Sequence, residues 1–268
     1  MTKKMLAIGA ALVVLVAVVI AAIVFRPPAE ATAPIEAIPI GTPAPAATEA
    51  PAVAAAPTEA PAATEAPAAT EAPTEAPAPT TVVAAPNASE PIVFEIAQSE
   101  SEVRFVIDEV LRGAPVTVVG VTDQVAGQIA INPSDPTASQ VGVIQVNART
   151  FATDNDFRNR AIKNAILQTD QYEFVTFTPT GLTGLPAAGA VGESYTFQMT
   201  GDLTIRDVTR PVTFDVTVTP VSETRLEGQA STTVLYQDFQ LTIPDSPSVD
   251  TIADEVRLEL DFVAQPAS

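Results

Sequence analysis

"GDLTIRDVTRPVTFDVTVTP", residues 201–220, exchanges apolar and polar residues almost one for one. Val212, Phe214, Val216 and Val218 take one parity; Thr213, Asp215, Thr217 and Thr219 take the other. Side chains alternate across a strand, so this segment has one greasy face and one wet face. What covers the greasy face decides the fold and the function together: the protein's own side chains, or something it carries.

The same period of two recurs along the chain. "VRFVI" sets Val103, Phe105 and Ile107 on one side, and "YTFQMTGDLTI" does so with Tyr195, Phe197, Met199, Leu203 and Ile205. In "VRLELDF", Val256, Leu258, Leu260 and Phe262 alternate with Arg257, Glu259 and Asp261. Shorter candidates lie at 116–121, 125–131, 141–147, 173–178 and 225–235, separated by the turn-forming stretches "NPSDP", "TGLTGLP" and "PDSPS". One segment differs. "DFRNRAIKNAILQ", 156–168, spaces Phe157, Ala161, Ile162, Ala165 and Ile166 as a helix, with Asp154 or Asn155 as N-cap. Many alternating strands with one helix and no βαβ rhythm predict an all-β antiparallel barrel or sandwich. A barrel of about eight strands can hold one small ligand. The inward residues are Val, Leu, Ile and Phe, so a lumen would accept a hydrocarbon chain, though on the pattern alone an ordinary packed core is the stronger reading.

Toward the N-terminus the composition changes. Residues 5–25 carry no charge; Lys3 and Lys4 precede them and Arg26 follows. At 1.5 Å per residue such a helix spans about 30 Å, a bilayer's hydrocarbon thickness. The segment reads as a single-pass signal-anchor with residues 1–4 in the cytoplasm and the rest outside. "AEA" at 29–31 leaves a cleaved, secreted form open. Residues 26–88 are mostly Pro, Ala, Thr and Glu, with TEAP five times. Proline and the scarcity of large apolar groups predict a disordered, semi-extended linker and a spacer role. Residues 89–268 form the folded domain.

The net charge is −19, and from residue 90 onward 25 acidic residues face 10 basic ones. Such an excess repels phosphate backbones and anionic headgroups, so no nucleic-acid partner is expected. The chain has neither Cys nor His. That removes Ser-His-Asp and Cys-His nucleophile pairs, His-ligated zinc and disulfides. No spacing singles out a carboxylate pair and no calcium-loop signature appears, so neither catalytic nor metal-binding residues are expected, and no cofactor.

Five stretches, taken in order, resemble the YceI-like family of extracytoplasmic lipid-binding proteins: "SEVRFVIDEVL" (101–111), "VAGQIAI" (125–131), "DNDFRNRAIKNAILQTDQYEFVTFTPT" (154–180), "TGDLTIRDVTRPVTFDV" (200–216) and "YQDFQLTIPD" (236–245). The resemblance covers roughly residues 92–264 and implies a lipocalin-like β-barrel with one short helix, holding a long-chain isoprenoid in its lumen. It departs at Asn159-Arg160, where a His is usual, and at Gln240 and Asp207, where glycines are common. By that resemblance the lumen lining, and so the lipid-binding set, comprises the inward parity of the matched strands. These are Phe105, Ile107, Val175, Phe177, Phe197, Met199 and Leu203, then Ile205, Val212, Phe214, Val216, Leu258, Leu260 and Phe262. Tyr236 and Asp238 could meet a headgroup at the rim, or serve structural hydrogen bonds. The implied function is a membrane-tethered, non-catalytic carrier or buffer for an apolar lipid. The other reading is a structural or adhesive surface domain on a stalk, with a packed core. Oligomeric state is not legible.

Overall fold

The computed structural model describes residues 26–41 and 91–267. The apolar run at 5–25 and the TEAP repeats lie outside the described residues. Among the described residues, no helix is long and apolar enough to cross a membrane.

Thirteen strands form one antiparallel sheet. In chain order they are β1 (Ile92–Ile96), β2 (Glu102–Leu111), β3 (Ala114–Thr122), β4 (Val125–Ala126), β5 (Gln128–Ile131), β6 (Gln140–Val141) and β7 (Ile144–Asn147). After the helix come β8 (Phe174–Thr183), β9 (Tyr195–Ile205), β10 (Val208–Ser222), β11 (Arg225–Leu235), β12 (Val249–Ile252) and β13 (Glu255–Pro266). The pairing order runs β4-β7-β8-β9-β10-β11-β13-β1-β5-β6, and the β2-β3 hairpin joins through the first half of β13. β4 and β5 are two halves of one extended stretch broken at Gly127; the first half pairs with β7, the second with β1. The sheet therefore curls back on itself into a barrel-like half-shell.

The opening stretch supplies β10 and the end of β9, in uninterrupted register from Val208↔Ile205 to Val218↔Tyr195. Its wet parity builds a polar ladder on the outside: Thr213 with Thr200 at 3.0 Å, Thr217 with Thr196 at 3.4 Å, and the Gln198 amide donating to Asp215 at 3.1 Å. Such cross-strand pairs are the units that hold a sheet's register. Pro211 is tolerated because β11 begins to pair with β10 only at Asp215, leaving an edge beside the proline. The inward parity joins a core cluster that includes Phe94, Phe177, Met199, Leu203, Val216, Leu226 and Phe262. Alternation alone does not name β1 or β12, which are short.

The helix departs from expectation. It opens as α1 (Asp156–Arg160), capped by Asn155, whose Oδ1 accepts from the Phe157 and Arg158 amides, and continues as a π segment over Ala161–Ile166. Of the predicted stripe, Ile162 and Ile166 face the interior, but Phe157 does not: it is 63 % exposed, and Arg158 faces inward in its place. A π turn holds more residues than an α turn, so residues spaced by four align across the junction and the inward face passes from 157 to 158.

Residues 26–41, which composition assigns to the linker, lie along the outside of the sheet. Ile35 is buried, and its carbonyl accepts from Gln98 Nε2 at 2.6 Å. The Thr32 amide and hydroxyl both donate to the Glu173 carboxylate at 2.8 Å, and the Ile40 amide donates to Gln128 Oε1 at 3.1 Å. "APIEAIPI", 33–40, supplies the isoleucines that the TEAP repeats lack, and apolar burial is what offsets the entropy of ordering a proline-rich segment.

Candidate functional site

Where the apolar parities converge, the interior is hollow and divided. A cavity of about 260 Å³ lies on the helix side of the sheet, and a second of about 510 Å³ lies beyond it. Ile144, Met199, Ala230 and Leu260 line both, so these four side chains stand between the chambers. Ile144, Met199 and Leu260 are the larger side chains at this waist, where the two cavities adjoin.

The helix-side chamber is lined by Phe105, Ile107, Val175, Phe177, Leu203, Ile205, Phe214 and Leu258. The far chamber has Phe197, Val216 and Phe262. Met199 and Leu260 belong to both. Val212 lines neither; it is half-buried and packs against the core cluster, toward the end of β10 where β11 no longer pairs. Each chamber takes part of its form from a phenylalanine laid over a glycine of the neighbouring strand. Gly120 is the cross-strand partner of Phe105, and a Cβ there would lie 2.1 Å from the ring. Gly228 has the same relation to Phe262, at 2.6 Å. Edge-to-face contacts, Phe105 with Phe151 at 5.4 Å and Phe177 with Phe214 at 4.9 Å, hold the rings of the helix-side chamber.

Polar groups are few in the lining. Arg158 Nη2 pairs with Glu109 Oε1 at 2.9 Å, and both residues line the helix-side chamber. Glu109 is buried, and Arg158 also reaches Asp154 at 2.6 Å. The sequence reading did not select this pair, although Glu109 carries a signal: it continues the inward parity Val103, Phe105, Ile107 as a lone charge. Tyr236 lines the same chamber, as does Phe239, which is 1 % exposed, whereas Asp238 is exposed outside it. The far chamber ends in loops, among Pro133, Pro136, Pro186, Ala190 and Val191, with Asn132, Ser139, Tyr195, Ser222 and Glu223 as its polar members.

The departures from the family pattern have local accounts. Gln240 occupies a left-handed backbone position, φ 53°, which explains the glycine expected there. In the two-residue β9–β10 turn the left-handed residue is Arg206, φ 58°, rather than Asp207. Asn159 ties the loop before the helix, accepting from the Thr153 amide at 2.7 Å and its hydroxyl at 2.8 Å. Outside, Arg104 gathers Glu102, Glu259 and Asp261 within 3.0 Å. Hydrogen bonds from Arg104 and Arg257 hold the Glu259 carboxyl below its ordinary value. The arrangement offers an oily enclosure with few polar groups, the Glu109–Arg158 pair among them. It can sequester a chain-like apolar molecule and orient a polar terminus.

No curated protein sequence matches this chain. Among solved structures, a polyisoprenoid binding domain from Saccharophagus degradans implicated in plant cell wall breakdown superposes with a TM-score of 0.54 at 17 % identity, covering 66 % of this chain and 99 % of that one. BcnA of Burkholderia cenocepacia superposes at 0.51 with 19 % identity, over 63 % and 99 %. At such identities the likeness shows the shared fold. The model of the YceI-like domain matches residues 94–264, from β1 into β13, and with that match the chain belongs to the YceI-like family.

Proposed function

We propose that this protein is a non-catalytic carrier or buffer for a long-chain isoprenoid-type lipid, held inside the curled sheet on the outer side of a membrane to which residues 5–25 anchor it. The observation that carries the reading is the pair of mainly apolar chambers, the helix-side one lined also by the Glu109–Arg158 ion pair. Pockets of about 300–1,000 Å³ with few convergent polar groups suit small apolar ligands, and the two chambers taken together fall in that range. A prenyl chain matches them because it is flexible, branched and apolar, with a single polar terminus for Arg158 and Tyr236. Membership of a family whose solved relatives include a polyisoprenoid binding domain supports the same reading.

The test is organic extraction and mass spectrometry of the purified full chain beside its Leu203→Trp variant, which fills the helix-side chamber. Wild type retains a prenyl lipid, while the variant loses it and keeps the same bulk phospholipid. A wild-type protein that is stable, lipid-free and unable to take up added prenyl lipid would leave the structural surface-domain reading in its place.

A further inference from the structure

The geometry points to a bilayer held directly against the helix end of the domain, so that the TEAP repeats do not act as the spacer that their composition suggests. This inference rests on the reading that residues 5–25 span a membrane, and it adds where the domain sits. Arg26 immediately follows the uncharged run. Its guanidinium pairs with Asp170 at 2.8 Å, and its carbonyl accepts from Asn164 Nδ2 at 2.8 Å. The chain is thus fastened to the end of the helix within one residue of the proposed span. Arg149 donates to the Glu30 carbonyl at 3.0 Å and Thr32 closes on Glu173. From there the segment continues past Ile35 to Gln128. No slack remains between the span and the domain.

The other end of the segment points the same way. Ile40 and Gly41 leave the sheet at Gln128, and the chain rejoins it at Ile92, paired with Ile131. Gln128 and Ile131 bound the four residues of β5, about 10 Å of strand. A stretch that departs and returns at neighbouring points cannot set the height of the domain above the membrane. Docked this way, the helix-side chamber faces the lipid source, because Arg158, Ile162 and Ile166 line it from the helix whose last turn holds Asn164 and which Asp170 follows. The far chamber faces away. The layout is that of a protein that draws its guest straight from the bilayer rather than one roaming on a long leash.

The absence of cysteine makes single labels unambiguous. Asp207→Cys places a dye in the β9–β10 turn, whose Arg206 donates to the Ile166 carbonyl at the helix end. Thr224→Cys places one in the β10–β11 turn, a β10 length of about 45 Å away. Full chain is inserted into vesicles containing headgroup-nitroxide lipids. The 207 label is expected to be strongly quenched and the 224 label not. Replacing residues 42–90 with a short Gly/Ser linker should leave both values unchanged, and Thr32→Ala with Ile35→Asp should abolish the difference. A chain that floats with the vesicles but shows equal, weak quenching at both sites overturns the docking alone and leaves anchor and carrier standing. A chain that does not float overturns the anchor, and the docking with it. Lipid content, read separately by extraction, reports on the carrier reading in either case.

Discussion

The two chambers are made by one alternation pattern on one sheet, yet they are closed by different means. The helix-side chamber is bounded at its end by regular, packed elements: α1 with its π extension, and the turn at Tyr236–Phe239, whose Phe239 is almost wholly buried. The far chamber, twice the size, is closed by irregular loops that include exposed Val191. Strands decide that there is an interior; the closures decide how rigid each end is and where charge is admitted. A rigid end with an ion pair suits a polar terminus. An end closed by loops and mostly apolar suits tails of variable length.

The largest way to break this contrast is Phe239→Ala. Removing a fully buried aromatic side chain costs about 3–5 kcal/mol, and here it also opens the wall of the helix-side chamber. Val191→Ala, at the loop-closed end, should stay within about 0.5 kcal/mol. Urea unfolding of both variants checks the pair of values; equal costs would mean that the two ends are closed equally well.

The next effect sharpens the boundary. Met199→Ala removes a side chain standing between the chambers and should cost about 2–3 kcal/mol, less once a guest fills the gap. Competition among prenyl alcohols of graded length reads the result. Longer chains should gain relative to short ones in Met199→Ala, while Met199→Trp should favour the short ones. An unchanged length profile would mean that a guest never crosses between the chambers.

Much of this was legible in residue order. The β10 alternation has one core-facing answer, because a one-residue slip would turn Phe214 to water and Asp215 to the core. The same parity assigned Phe105, Phe177 and Leu258 to the interior without coordinates. It failed where side-chain direction is not a matter of parity. The α-to-π junction moved the inward stripe from Phe157 to Arg158, and no propensity announces that change. Glu109 was visible as a charge on an apolar stripe, but its partner is 49 residues away and only tertiary structure brings them together. The docking of residues 26–41 was obscured by prolines shared with the TEAP repeats. What distinguishes the segment is three isoleucines, too few to shift a composition average, and the matching acceptor Glu173 lies 141 residues on from Thr32.

The smallest predicted effect probes that segment, through pH. Burial pushes the Glu173 carboxyl upward, but the Thr32 amide and hydroxyl, the Asn147 amide and the Arg149 charge outweigh it and hold the group below its ordinary value. With residues 26–41 released, two of those donors are lost and the carboxyl returns toward ordinary behaviour. The docked state therefore binds fewer protons than the released one. Docking is at full strength above the ordinary carboxylate range and weakens as pH falls through it. A dye on Ala33→Cys reads the motion as a fall in anisotropy on acidification, with circular dichroism verifying that the sheet stays folded. Glu173→Gln should start from lower anisotropy at neutral pH and show a flatter response, because its neutral amide cannot lose a proton. If wild type and Glu173→Gln trace the same curve, this carboxylate does not govern the fastening, and Ile35 and Gln128 hold the segment without it.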